Sequence, residues 1–195
     1  MEIILIMVFF AISGFLMKIS DDAFDEKGDK LFATITGILC GFIIGLLVVN
    51  SIEAAYIFFA ILLGTLFSKK IDGLHHIITL LTFVLVAFIF GIPQMALYTL
   101  IICSLAAYID EIGNDNPKLS KKSYFLEIFF KYRFAMKLTI LGLVILGLYS
   151  SLTGFKIQGI EFLSAFALFY FILFEISYEF AGKYFERIYK KRIFS

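Results

Sequence analysis

Long apolar runs, separated by short breaks that hold nearly all the charged residues, dominate the sequence. A helix needs roughly 17–25 apolar residues to cross the hydrocarbon core of a bilayer, and several runs lie near the lower limit of that length. The pattern predicts an all-α integral membrane protein, in which one compact bundle of about seven transmembrane helices forms a single domain over residues 1–195. The predicted crossings are approximately 2–19, 31–49, 52–67, 76–92, 94–109, 137–152 and 159–178.

The basic residues are divided unequally between the breaks. Of the 17 Lys and Arg residues, all except Lys156 fall in the first, third, fifth and seventh breaks. Because loops rich in Lys and Arg remain in the cytoplasm, this division places the N-terminus outside and the C-terminus in the cytoplasm. The sequence therefore predicts a multi-pass protein of the cell membrane, surrounded by membrane lipid.

The composition agrees with a membrane protein and excludes several other classes. Hydrophobic residues make up 61% of the chain and charged residues 17%, and the mean hydropathy is +0.96. The net charge is only +1, so no nucleic-acid partner is expected. Cys40 and Cys103 lie within apolar runs, where a thiol behaves as a small hydrophobic group, and they predict no disulfide.

Three glycines at four-residue spacing mark the second predicted helix. Gly37, Gly41 and Gly45 remove the side chains from one stripe of the helix, which allows another helix to approach closely. The stripe predicts a packing surface within the bundle. It is also the expected contact if two copies of the chain form a homo-oligomer.

The break before the sixth crossing is predicted to be helical. Asn116 is a favourable N-cap, and Pro117 stands at the first helical position. From Pro117 to Lys137, aromatic and aliphatic residues alternate with bases, a mixture typical of a helix that lies in the membrane interface. We expect an interfacial helix on the cytoplasmic side.

The acidic run that begins at Asp21 is the densest group of potential ligands. A helical conformation would place Asp22, Asp25, Glu26 and Asp29 on one face. Asp21-Asp22-x-x-Asp25 resembles the DDxxD motif of isoprenyl diphosphate-using enzymes, whose acids hold Mg²⁺ on the diphosphate. The resemblance implies a divalent metal, with Mg²⁺ favoured, bound by Asp21, Asp22 and Asp25. The alternative is that the acids solvate a loop and stabilise the start of the second helix.

Several odd-numbered helices end in Ile followed closely by Asp. The sequences are Ile19-Ser20-Asp21, Ile71-Asp72 and Ile109-Asp110-Glu111. The predicted topology brings these ends to the cytoplasmic side, so Asp110 and Glu111 are expected to complete the metal site.

The only two histidines of the chain follow Asp72 in Asp72-Gly73-Leu74-His75-His76. On a helix, Asp72 would share a face with His75 and His76, as an acid–base pair or as metal ligands. We predict these three residues to be catalytic, with Asp110, Glu111 or Glu175 as further ligands. The alternative is that the histidines are merely solvated at the start of the fourth crossing.

Two pairs of adjacent lysines lie in the same predicted cytoplasmic breaks as some of these site residues. Lys69-Lys70 and Lys121-Lys122 are expected to bind the phosphate oxygens of a substrate as point charges. A cytoplasmic location by itself also accounts for these bases.

Ionisable residues avoid the middle of the predicted crossings and collect at the cytoplasmic ends. Ion-coupled transporters usually place such residues deep in the membrane, whereas an enzyme acting on a lipid head group needs them at the surface. The sequence therefore predicts a metal-dependent enzyme, a transferase or hydrolase that acts on a phosphorylated or diphosphorylated lipid. The alternatives are a transporter of a small molecule or divalent cation, and a scaffold subunit without catalytic activity.

Overall fold

A computed structural model describes residues 2–69, 71 and 73–193, and for 117, 120, 121 and 191–193 it describes the backbone only. All regular structure in these residues is α-helical, which confirms the all-α prediction for the described chain. The helices are α1 (Ile3–Asp25), α2 (Lys30–Asn50), α3 (Ile52–Phe67), α4 (Leu74–Phe90), α5 (Leu97–Asn114), α6 (Pro117–Lys122), α7 (Tyr124–Lys131), α8 (Phe134–Thr153) and α9 (Ala165–Ile193).

Four helices in the described part of the chain are long and apolar enough to cross a membrane. They are α1, α2, α8 and α9, and the apolar stretch of α9 reaches from Ala165 to Lys190. The helices α3 and α4 are also apolar but shorter. These four helices indicate a membrane location. Each of the seven apolar runs forms a helix, although the number of crossings and their orientation remain predictions.

The described residues divide into two compact units. The first unit contains α1, α2, α4 and the part of α9 from Tyr170 onwards. Its helices α2 and α4 meet at the glycine stripe. A Cβ atom on Gly41 would lie 2.3 Å from the carbonyl oxygen of Thr79, and one on Gly45 would lie 2.5 Å from Cβ of Val86. The stripe is therefore a packing surface within one chain, and a homo-oligomer built on it would have to displace α4.

The turn between α1 and α2 is fixed by Asp29. Its carboxylate accepts a hydrogen bond from the backbone N–H of Phe32 at 3.0 Å and so caps α2. The hydroxyl of Tyr189 on α9 donates to the other oxygen at 2.9 Å. Because α1 ends at Asp25, Asp29 does not share the predicted acidic face, and the capping alternative holds for this residue.

The second unit contains α3 and α5–α8. A buried Tyr56 hydroxyl donates to Glu161 at 2.5 Å and accepts from the backbone N–H of Ala96 at 2.6 Å. These bonds hold the chain after α8 in a non-helical course, so the last long helix begins at Ala165 rather than near position 159. The helix predicted from Pro117 to Lys137 is divided into α6, α7 and the start of α8.

Candidate metal centre

Asp21, His75 and His76 come together within the first unit. Oδ1 of Asp21 lies 3.5 Å from Nε2 of His75 and 3.8 Å from Nδ1 of His76. One potential donor atom from each residue lies within 4.8 Å of the other two. Of the predicted site residues that the structure describes, these three form one cluster, which we call the Asp-His-His centre.

The ends of two helices position the Asp-His-His centre. Asp21 is in the last part of α1, and the histidines occupy the first turn of α4, directly after its N-cap residue Gly73. A Cβ atom on Gly73 would lie 2.4 Å from Cε1 of His75, so this ring position requires glycine. Gly37 lets α2 approach the start of α4, because a Cβ there would lie 2.4 Å from Oγ1 of Thr79 and 3.3 Å from the backbone carbonyl oxygen of His75.

His75 is buried, and its ring nitrogens form no hydrogen bond with any described residue. Its side chain is 2% exposed, compared with 17% for Asp21 and 36% for His76. The contact with Asp21 lies within the range of an ion pair but lacks hydrogen-bond geometry. An imidazole always carries at least one N–H, and leaving a buried donor unsatisfied costs about 1–3 kcal/mol. A metal ion would bind the lone pair of the unprotonated ring nitrogen, and so would give a partner to one of the two nitrogens of His75.

Aromatic packing fixes the ring of His75. Phe24, one turn after Ser20 on α1, stacks on the imidazole with 4.4 Å between the ring centroids. The centroid of the His76 ring lies 3.9 Å from that of the His75 ring, and the two rings are tilted by 36°. The imidazole that lacks hydrogen bonds is thus held in place by apolar contacts.

The donor separations fit a tetrahedral metal better than Mg²⁺. Three donors at about 2.1 Å from a tetrahedral ion lie about 3.4 Å apart, whereas neighbouring donors of octahedral Mg²⁺ lie about 2.9 Å apart. The two measured separations from Asp21 are 3.5 and 3.8 Å. Two imidazoles with one carboxylate are also a donor set typical of Zn²⁺ and of Fe²⁺, while Mg²⁺ prefers oxygen ligands. The Asp-His-His centre therefore suits a transition-metal cation.

The other acids of the run after Ile19 have different surroundings. Asp22 is buried and forms an ion pair with Lys18 on the same helix at 2.8 Å. Asp25 is exposed at the end of α1. The prediction that these two residues bind metal remains untested, but neither belongs to the Asp-His-His centre.

Asp110 and Glu111 lie in the second unit. The Asp110 carboxylate accepts hydrogen bonds from the backbone N–H groups of Ala135 at 3.0 Å and Met136 at 2.7 Å, so it caps the start of α8. Burial raises the pKa of Asp110 to about 6, although these two hydrogen bonds oppose the shift. Glu111 lies 3.4 Å from the guanidinium of Arg133.

The remaining predicted residues are four lysines, Asp72 and Glu175, which lies on α9 in the first unit and is not part of the Asp-His-His centre. Lys69 and Lys122 are exposed residues of the second unit. Lys70 and Asp72 lie outside the described residues, as does the side chain of Lys121. Their predicted roles in substrate binding and catalysis remain predictions.

Sequence reasoning missed Tyr178. Its hydroxyl, on α9, donates a hydrogen bond of 3.1 Å to Oδ2 of Asp21. This contact is difficult to predict from the sequence, because 157 positions separate the two residues. Tyr is also common near the ends of membrane helices, so its position there is not distinctive.

Comparisons with known proteins add no functional assignment. No protein-family model matches this chain, and no significant match was found among curated proteins or solved structures.

Proposed function

We propose that this chain is a metal-dependent membrane enzyme whose metal is held by Asp21, His75 and His76. The observation that carries the proposal is the buried imidazole of His75, which faces a carboxylate and a second imidazole without a hydrogen bond to a described residue. Buried polar groups normally have partners. A cation bound between the three side chains would give one ring nitrogen of His75 a partner and would supply the charge that balances Asp21.

The number of protein ligands favours catalysis over a structural metal. Structural zinc sites usually have four protein ligands, whereas catalytic sites have three and leave one position for water or substrate. Among the residues that the structure describes, the Asp-His-His centre offers three. A metal there could activate water or polarise a phosphoryl oxygen in the open position.

The place of the centre along its helices favours an enzyme over a transporter. Transporter sites commonly lie near the membrane midplane, where helices are interrupted. Here the ligands come from the end of α1 and the start of α4. In the proposed topology of seven crossings, with the N-terminus outside, both ends face the cytoplasm.

The proposed substrate is a phosphorylated or diphosphorylated lipid, such as a polyprenyl lipid, and it fits this location. The apolar tail would remain in the bilayer while the head group reaches the metal. Lys18 and Lys27 of the first unit are paired with Asp22 and Glu186. In this proposal the metal would be the chief ligand of the phosphate. Phosphate binding by Lys69, Lys70, Lys121 and Lys122 is a separate proposal that rests on the sequence alone.

The test uses the full chain purified in detergent, loaded with Zn²⁺, Mn²⁺ or Mg²⁺ and supplied with a prenyl diphosphate. We expect phosphate release that depends on the transition metals and is lost in Asp21→Ala. Glu26→Ala is the matched control, because it removes an exposed acid of the same run that is not a predicted metal ligand, and it should retain the activity.

Two results would contradict the proposal. Absence of metal binding would remove the enzyme's centre and favour the scaffold alternative. Metal binding without phosphate release, combined with cation flux in proteoliposomes, would favour the transporter alternative.

A further inference from the structure

We infer that Tyr178 is a positioning residue, which holds Oδ2 of Asp21 and so presents Oδ1 alone to a transition-metal cation shared with His75 and His76. The inference rests on the proposed metal centre and deepens it. It assigns to α9 a role in the affinity and geometry of the metal.

The two carboxylate oxygens of Asp21 have separate partners. Oδ1 is the oxygen that faces both imidazoles, at 3.5 and 3.8 Å. Oδ2 accepts the hydrogen bond from the Tyr178 hydroxyl at 3.1 Å. A hydrogen bond to one carboxylate oxygen favours metal binding through the other, so Asp21 would bind a cation through Oδ1 alone.

The ring of Tyr178 is itself fixed from two sides. The ammonium of Lys18 on α1 lies 5.3 Å from the ring centroid, at a distance suited to a cation–π interaction. Phe174, one turn earlier on α9, stacks with the ring at 6.4 Å. Gly182, one turn later, makes room for the Lys18 stem, because a Cβ there would lie 2.7 Å from Cε of Lys18.

These contacts make Tyr178 a support for a metal ligand. Hydrogen bonds to metal ligands fix their orientation, and losing one typically lowers metal affinity by about 10–100-fold. The Tyr178 hydroxyl has this relation to Asp21. Its ring position is set by α1 and α9 before any metal binds.

The helix α9 offers a matched control for the test. Tyr189 also donates from its hydroxyl to an aspartate, Oδ2 of Asp29 at 2.9 Å, but Asp29 caps α2 and is not part of the metal centre. Tyr178→Phe and Tyr189→Phe therefore each remove one oxygen and one Tyr–Asp hydrogen bond from the same helix.

The experiment measures binding of Co²⁺ and Zn²⁺ to the full chain in detergent, and the visible absorption spectrum of bound Co²⁺. Tyr178→Phe should weaken binding by about 10–100-fold and alter the Co²⁺ spectrum. Tyr189→Phe should leave the affinity within about threefold of that of the parent and the spectrum unchanged. Equal binding and identical spectra for all three proteins would overturn the inference and leave the metal centre standing. Absence of binding by the parent would overturn both.

A second measurement needs no variant and so does not depend on the folding of Tyr178→Phe. Infrared difference spectra of the parent, recorded with and without Zn²⁺, report whether a carboxylate binds through one oxygen or two. Comparison with Asp21→Ala identifies the bands of Asp21. We expect the pattern of a monodentate carboxylate, and a bidentate pattern would contradict the role of Tyr178.

Discussion

The two units use an aspartate near the end of an apolar helix in opposite ways. In the second unit, Asp110 accepts two backbone N–H groups at the start of α8, so its carboxylate completes a helix cap. In the first unit, Asp21 faces two imidazoles, and the buried one forms no hydrogen bond within the described chain. From this difference we infer a stabilising role for Asp110, and we propose a ligand role only for the acid beside the imidazole that lacks hydrogen bonds.

The largest expected effect comes from removing the carboxylate of the Asp-His-His centre. Asp21→Ala should lower the affinity for Zn²⁺ by more than about 100-fold, because a direct ligand contributes more than its supporting hydrogen bonds do. The melting temperature without metal should remain close to that of the parent. Equilibrium dialysis and thermal unfolding in detergent measure the two quantities, and Asp110→Ala should leave the Zn²⁺ affinity unchanged.

Asp110→Ala should instead destabilise the fold. The substitution leaves the N–H groups of Ala135 and Met136 without their carboxylate, and losing such a cap costs about 1–2 kcal/mol. Reversible unfolding in denaturant measures the free energy. A stability equal to that of the parent would show that the cap is unimportant and would weaken the contrast between the two aspartates.

The same comparison predicts a dependence on pH. Burial raises the pKa of Asp110 to about 6 in the folded state, above the unfolded value of about 3.9. The contribution to stability that comes from protonation of this carboxyl group is therefore greatest below the unfolded pKa. That contribution is lost as the pH rises through about 6. The free energy of unfolding of the parent, relative to Asp110→Asn, should therefore fall by roughly 2–3 kcal/mol between pH 4 and pH 7. A constant difference across this range would show that the pKa of Asp110 is not raised.

The smallest expected effect tests the space around His75. In Gly73→Ala the added Cβ would lie 2.4 Å from Cε1 of His75, so it must displace the imidazole. Zn²⁺ affinity should therefore fall by about tenfold. Gly73 has an extended backbone conformation that alanine also adopts, so the effect is steric. The control is Gly142→Ala, whose Cβ would have nothing within 4 Å. Equal affinities for both variants would show that the ring of His75 can move without cost.

The helices follow from local patterns, which explains why the sequence predicts them well. Each apolar run forms a helix, since its backbone groups can be satisfied within the segment. The predicted helix boundaries are wrong where contacts between residues far apart in the sequence determine where a helix begins. Thr99 exchanges hydrogen bonds with the backbone of Glu161, 62 positions away, and the chain there remains non-helical until Ala165.

The candidate site was predictable only in part, for the same reason. Two adjacent histidines and an acidic run mark Asp21, His75 and His76 as residues with potential chemistry. Which acid meets the histidines depends on how α1 packs with α2 and α4, and the sequence pattern is equally compatible with Asp22 or Asp25. Tyr178 contributes through one hydroxyl on a distant helix, for which periodicity and spacing provide no signal.

X-ray absorption spectroscopy of the zinc-loaded protein tests most directly whether Asp21, His75 and His76 share one metal ion. We expect nitrogen and oxygen ligands at about 2.0–2.1 Å from the zinc ion, with the outer-shell scattering of two imidazoles. His75→Ala should reduce the imidazole count to one. A first shell without imidazole, or a parent protein that retains no zinc after dialysis, would contradict the metal centre.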